Sequence, residues 1–225
     1  MQKSQNPFNT KILGNGLNRV NESRKINSAR NSVPVMALLA YHKEISTPDE
    51  LEKCIAGHNK HAKDYTPCRC GITSNGDLHD FTERLYAAQT PLLIERNRKK
   101  FTKQECYVYQ KTLFCAATMK GRHMENMSME FFRINYPEYR VERASFEEDY
   151  SYAVDYWIMK KHEGVFKKYI GIQVKPGTFF KRCKPHVLRM EVNKMARAPA
   201  PVLYHMYGTN NKFVKCSTEN IAVKL

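Results

Sequence analysis

A chain of 225 residues carrying 37 Lys and Arg against 22 Asp and Glu has a formal net charge of +15. That length allows one sizeable core with a small appended module, and so large a charge excess favours polyanionic partners, nucleic acid first among them. The N-terminus is polar and basic without a signal-peptide pattern, and no apolar run reaches membrane-spanning length, which excludes a helical membrane protein. Seven cysteines in no secreted-domain spacing point to free or metal-bound thiols and a reducing cytoplasm.

Residues 1–33, rich in Asn, Ser, Lys and Arg, read as a flexible basic arm. Residues 33–41 are the first apolar run, a short core helix or strand. Thr47 caps a helix with Pro48 in first position and Asp49 and Glu50 in its first turn, predicted to run to about residue 64 with Leu51 and Ile55 inward. A loop over 65–71 and a turn at 75–77 lead to a helix over 78–88, with Phe81 and Leu85 four apart. Cys54, His58, His61, Cys68, Cys70 and His79 fall within 26 positions of this stretch. On a helix continuing to residue 64, Cys54, His58 and His61 converge, and Cys68 and Cys70 can complete a tetrahedral Zn²⁺ set. The C-x-C spacing is not the usual zinc knuckle, and surface histidines beside small buried thiols give the same pattern, so the sequence assigns no zinc ligand.

Thr102 and Glu105 form a capping box that opens a helix predicted to reach about residue 119, where Gly121 interrupts it. A second amphipathic helix over 122–132, ending near Tyr136 and Pro137, is predicted to bury Met124, Met127, Phe131 and Ile134. Residues 139–144 alternate as a strand, and 145–150 (SFEEDY) read as an acidic link. Two strands rich in β-formers follow, 154–159 and 169–174, joined by a lysine-rich connection. Asp155 lies in the first. Gln173 and Lys175 lie in the second, two apart and therefore on one face. Hairpin register allows Asp155 to lie beside both, and a strand aspartate is costly to bury unless a cation or hydrogen bonds compensate. Pro185 opens a helix to about residue 197, and 202–207 form a last strand. From residue 122 the order is αβββαβ.

Asp155, Gln173 and Lys175 on consecutive strands, within that element order, resemble the PD-(D/E)xK nuclease superfamily in its D…QxK form, and within it the type II restriction endonucleases. The likeness covers about residues 121–208. Two positions depart from the pattern: Ala153-Val154 stand where the family has proline before the aspartate, and Gln173 replaces the second acid. The resemblance implies an α/β (α+β) fold, a mixed sheet flanked by helices. Residues 121–225 would form its catalytic core and 1–120 a largely helical region for DNA recognition and dimerisation. It further implies Mg²⁺ held by Asp155, Gln173 and the main-chain carbonyl of Val174, with Lys175 orienting water or neutralising developing charge. Glu125, preferred to Glu130 on the helix preceding the sheet, would be a further catalytic acid.

Residues 160–197 hold eleven Lys or Arg against two Glu, a local +9. Lys160, Lys161, Lys167, Lys168, Lys181, Arg182, Lys184 and Arg189 are accordingly expected to contact the phosphates of double-stranded DNA. A homodimer reading a palindromic site follows from the same resemblance, and without a GxxxxGK[ST] motif no nucleotide cofactor is expected. Two competing readings stand beside this one. One is a non-catalytic, zinc-containing nucleic-acid-binding protein, and the other is a nuclease of branched DNA or RNA.

Overall fold

The computed structural model describes residues 10–28, 31–89, 100–208, 210 and 212–217. The chain divides into two compact units, Met1–Met119 and Lys120–Leu225. Among the described residues no helix is long and apolar enough to cross a membrane.

The first unit is helical: α1 (Thr10–Arg24), α2 (Val35–Tyr41), α3 (Pro48–Gly57), α4 (Leu78–Ala88) and α5 (Lys103–Lys111), the last followed by a π turn, Thr112–Ala116. Capping boxes start three of them, with Thr47 and Glu50 on α3, Asp77 and Asp80 on α4, and Thr102 and Glu105 on α5. One core gathers Leu38, Leu51, Ile55, Leu78, Phe81 and Phe114, and a second gathers Leu17, Val20, Leu85, Cys106 and Tyr109. The second corrects the expected arm. Residues 10–24 form a helix whose Leu17 and Val20 are buried, because these two apolar positions, three apart, give α1 an inward stripe. Residues 1–9, 29 and 30 of that arm lie outside the described residues. α3 also stops at Gly57 rather than near residue 64, with His58 as its C-cap.

The second unit begins within the helix that continues the π turn, α6 (Ala117–Asn135), which runs through Gly121 without interruption. A Gly in a helix interior costs about 1 kcal/mol relative to Ala, which neighbouring turns can absorb. Five strands form one sheet in the order β1 (Arg140–Arg143), β2 (Tyr156–His162), β3 (Val165–Pro176), β4 (Val202–Tyr207) and β5 (Phe213–Ser217). β1, β2 and β3 are an antiparallel meander, β3 and β4 run parallel, and β4 and β5 are antiparallel. Between β1 and β2 the expected acidic link is a helix, α7 (Phe146–Tyr152), started by a capping box of Ser145 and Glu148. Short α8 (Phe179–Arg182) and α9 (Pro185–Met195) separate β3 from β4. The αβββαβ order is therefore kept, with α7 and α8 inserted and β5 added.

Each sheet face packs under helices. Tyr156, Ile158, Ile172 and Val174 meet Met124, Met129 and Phe132 of α6, while Trp157, Met159, Val202 and Tyr204 meet Met195 of α9 and Phe179 and Phe180 of α8. The inward side of α6 differs from the expected stripe. Met124, Ser128, Met129 and Phe132 are buried, whereas Met127, Phe131 and Ile134 are exposed, Ile134 by 68%. Ser128 explains the shift, since its hydroxyl hydrogen-bonds Tyr156 Oη at 2.6 Å and His205 Nδ1 at 2.5 Å. A polar residue satisfied inside the core displaces the apolar phase by one position.

Candidate active site

The β2–β3 hairpin brings the sequence-named residues together at the end of β2. Tyr156 pairs with Ile172 and Trp157 with Gly171, so Asp155, one residue before β2, falls beside Gln173. A Cβ on Gly171 would lie 3.0 Å from Trp157 Cζ3 and from Val154 Cγ2, so a larger residue there would require these side chains to give by a few tenths of an ångström. The Asp155 main chain is fixed on both sides. Its N–H donates to the Ile172 carbonyl at 2.8 Å, and its carbonyl accepts from Ala144 at 3.0 Å.

The Asp155 carboxylate accepts the Val174 N–H at 2.6 Å, and Gln173 Nε2 lies 3.2 Å from each of its oxygens. Gln173 Oε1 is buried and without a hydrogen-bond partner. Two residues on, Lys175 Nζ lies 3.0 Å from Glu191 Oε1 of α9 and 5.2 Å from the centre of the Phe179 ring. The 3.0 Å approach is an ion pair rather than an aligned hydrogen bond, since the same Glu191 oxygen has no well-directed donor.

Acid accumulates around this point. Burial, and next the charge of Glu125, push Asp155 well above the ordinary carboxylate range, against the pull of Lys175 and the Val174 N–H. Burial and then Glu125 likewise raise Asp149 of α7, with Lys175 and Lys194 opposing. Glu125 is itself tied to Arg143 at 2.6 Å. Glu130, the alternative helix acid, is exposed and pairs with Arg133 at 3.7 Å. Sequence reading passed over Glu191, whose one available signal was an acid three residues after Leu188 and four before buried Met195, on the inward side of its helix.

The basic residues divide into two groups. Lys160, Lys161 and Lys167 are exposed on the far half of the hairpin, which is strand up to its Glu163-Gly164 turn rather than a loose connection. Lys160 faces Lys167 across the ladder. Lys168 differs from them, being ion-paired to Glu148 and lying 4.8 Å from the centre of the Trp157 ring. Lys181 and Arg182 on α8, Lys184 at the α9 N-cap and Arg189 on α9 are exposed.

Of the Cys/His residues considered for zinc, the structure brings His58, Cys68 and Cys70 together and adds His42, which the sequence reading did not include. His61 is exposed and outside the group, because α3 ends at Gly57 and the helical spacing of 54, 58 and 61 does not hold. Cys54 Sγ lies 3.6 Å from His58 Nδ1 but is not one of the four converging groups.

No match was found among curated proteins or among solved structures. A sequence model of the family described as MjaI restriction endonuclease matches residues 16–211, spanning most of both units, and the chain belongs to that restriction endonuclease family.

Proposed function

We propose that this protein is a Mg²⁺-dependent type II endonuclease that hydrolyses phosphodiester bonds of double-stranded DNA at a specific sequence. One observation carries the reading beyond family membership: Asp155, Gln173 and Lys175 converge where β2 meets β3. The donor set suits a hard divalent ion. Burial and the charges of Glu125 and Asp149 disfavour a charged Asp155, so a cation there would stabilise its carboxylate form, and the unpartnered Gln173 Oε1 is a spare neutral oxygen. Asp155, Gln173 and the Val174 carbonyl would hold the ion. Bound there, Mg²⁺ supplies a Lewis acid for the scissile phosphate and an acidified water.

The remaining chemistry belongs to the side chains. Lys175 orients the attacking water and offsets negative charge as it develops on the phosphate. Glu191 positions that ammonium, and the Phe179 ring beneath it limits its swing. Glu125, held by Arg143, adds negative potential that favours the cation. Lys160, Lys161, Lys167, Lys168, Lys181, Arg182, Lys184 and Arg189 would grip backbone phosphates, which fixes register without reading bases. The helical first unit is left to supply base contacts. The exposed Met127, Phe131 and Ile134 stripe supports a homodimer contact. Six free thiols among the described residues accord with a reducing cytoplasm.

The test is incubation of phage DNA with the protein in Mg²⁺ or in EDTA. Discrete fragments in Mg²⁺ alone, lost with Asp155→Ala and Lys175→Ala, are expected. A smear would indicate a nuclease without sequence specificity, and intact duplex with cleaved branched DNA or RNA would move the substrate. Unchanged cutting by either variant would refute the site.

A further inference from the structure

We infer that His42, His58, Cys68 and Cys70 form a tetrahedral zinc site in the helical unit, separate from the proposed magnesium site and built from softer ligands. The four ligand atoms lie within 4.8 Å of one another. His42 Nε2 and His58 Nε2 are 3.3 Å apart, His58 Nε2 and Cys70 Sγ 3.2 Å, and His42 Nε2 and Cys68 Sγ 3.8 Å. Zn–N bonds of about 2.0 Å and Zn–S bonds of about 2.3 Å at tetrahedral angles require N···N edges of about 3.3 Å and N···S edges of about 3.5 Å. These three edges match those requirements to within about 0.3 Å.

Thiol S–H donors can reach the two Nε2 atoms, Cys70 to His58 at 3.2 Å and Cys68 to His42 at 3.8 Å, but they do not account for the close approach of the two rings. His58 Nδ1 lies 2.7 Å from the Cys54 carbonyl oxygen, which can only accept, so Nδ1 carries the proton. His42 Nδ1 faces the Glu44 carboxylate at 3.2 Å, which assigns its proton in the same way. Both Nε2 atoms of the neutral rings then present lone pairs to each other at 3.3 Å. Two facing acceptors repel unless a cation lies between them. The Nδ1–H bonds are also the outer-shell contacts that orient histidines towards a metal. On the cysteine side, the Ile72 N–H approaches Cys70 Sγ at 3.4 Å.

The backbone is shaped for the same purpose. Gly71 has φ +68°, where only glycine is unstrained, and its N–H donates to the Cys68 carbonyl at 3.0 Å. This turn is how two cysteines in C-x-C spacing bring both sulfurs to one point. The returning chain is secured beside His58 by Ser74 N–H, which donates to the His58 carbonyl at 2.7 Å. Two thiolates and two neutral imidazoles select zinc over magnesium and leave no open position, the pattern of a structural site. The ion would clamp the 65–74 loop to the C-terminal ends of α2 and α3.

The full-length protein, purified without a histidine tag and dialysed against magnesium, should retain one zinc per chain by elemental mass spectrometry. His42→Ala, Cys68→Ser and Cys70→Ser should each fall below about a tenth of an equivalent, while Cys54→Ala and His61→Ala keep the full complement. Stripping the zinc should lower the melting temperature by about 5 °C or more, with recovery on adding Zn²⁺ but not Mg²⁺. Should the ligand variants fail to fold, cobalt exchange into the wild-type chain decides the matter, since two thiolates give an intense thiolate-to-cobalt charge-transfer band above tetrahedral d–d bands. Metal-free wild-type protein that takes up neither zinc nor cobalt would overturn the site, and loss of zinc in Cys54→Ala would overturn the ligand set.

Discussion

Gln173 Nε2 lies 3.2 Å from both carboxylate oxygens of Asp155, and Gln173 Oε1 on the other side of the same amide has no partner. An amide can turn over. Asp155→Asn would let Gln173 present its oxygen to the new Nδ2 while Oδ1 still accepts the Val174 N–H, so the contacts of Asp155 are kept as neutral hydrogen bonds and its buried charge is removed, with Gln173 Nε2 taking the partnerless place that Oε1 holds now. The variant should therefore be more stable than wild type by about 1–2 kcal/mol in metal-free urea titrations. It should also cut DNA slower by a factor on the order of 10³. Gain of stability with loss of cleavage is the signature of a carboxylate kept for chemistry, and a destabilised Asp155→Asn protein would argue that the aspartate is structural.

Lys175 and Glu191 form the second separable pair. The side chains are 24% and 11% exposed, so removing the lysine leaves a mostly buried carboxylate without its cation. Lys175→Met should lose about 1–3 kcal/mol, and adding Glu191→Gln should restore most of it. Cleavage should return in neither. If the double variant cuts DNA as wild type does, Lys175 has no part in the chemistry.

Much of this site was legible from residue order, because strand periodicity and hairpin register fix which side chains can meet. Asp155 falls beside Gln173 for that reason. What stayed hidden has specific causes. The phase of α6 was misread because buried Ser128 is polar, and counting apolar residues alone favours Met127, Phe131 and Ile134. α7 carried the same capping-box signature as α3 and α5, but three consecutive acids made it look like a solvated link. The lysines of the far hairpin are exposed on both faces, so no alternation marks them as strand. His42 enters its cluster from the C-cap of α2, at no helical spacing from Cys54 or His58, and only tertiary packing reveals it.

Lys160 and Lys167 sit opposite one another, and among the described residues the Tyr169 ring near Lys160 is the one contact that offsets them. Like charges directly across a ladder are unfavourable, and a phosphate between them would relieve the repulsion. Alanine at either position should weaken binding uniformly across sequences. Each change should also reduce the slope of log K against log salt by about 1. Fluorescence anisotropy with a short duplex in Ca²⁺ from low to moderate salt measures this. An unchanged slope in both variants would remove the hairpin from the DNA interface.

His205 gives a pH dependence whose sign is fixed. Its ring is 2% exposed, stacks 3.9 Å from Phe213 and meets the Ser128 hydroxyl, and burial pushes its pKa down to about 4. In the unfolded chain the ordinary value is about 6.5, so the unfolded state takes up a proton that the folded state refuses between those limits. The contribution of neutral His205 is therefore fully present above about pH 6.5 and is lost as pH falls towards 4, amounting to about 2 kcal/mol by pH 5. Asp155 acts in the opposite sense, because its raised pKa costs stability at higher pH, so the readout is the gap between wild type and His205→Asn rather than either curve alone. That gap should narrow by about 2 kcal/mol from pH 7 to pH 5 in urea denaturation. A gap of constant size would mean that His205 is solvated well enough to accept its proton in the folded protein.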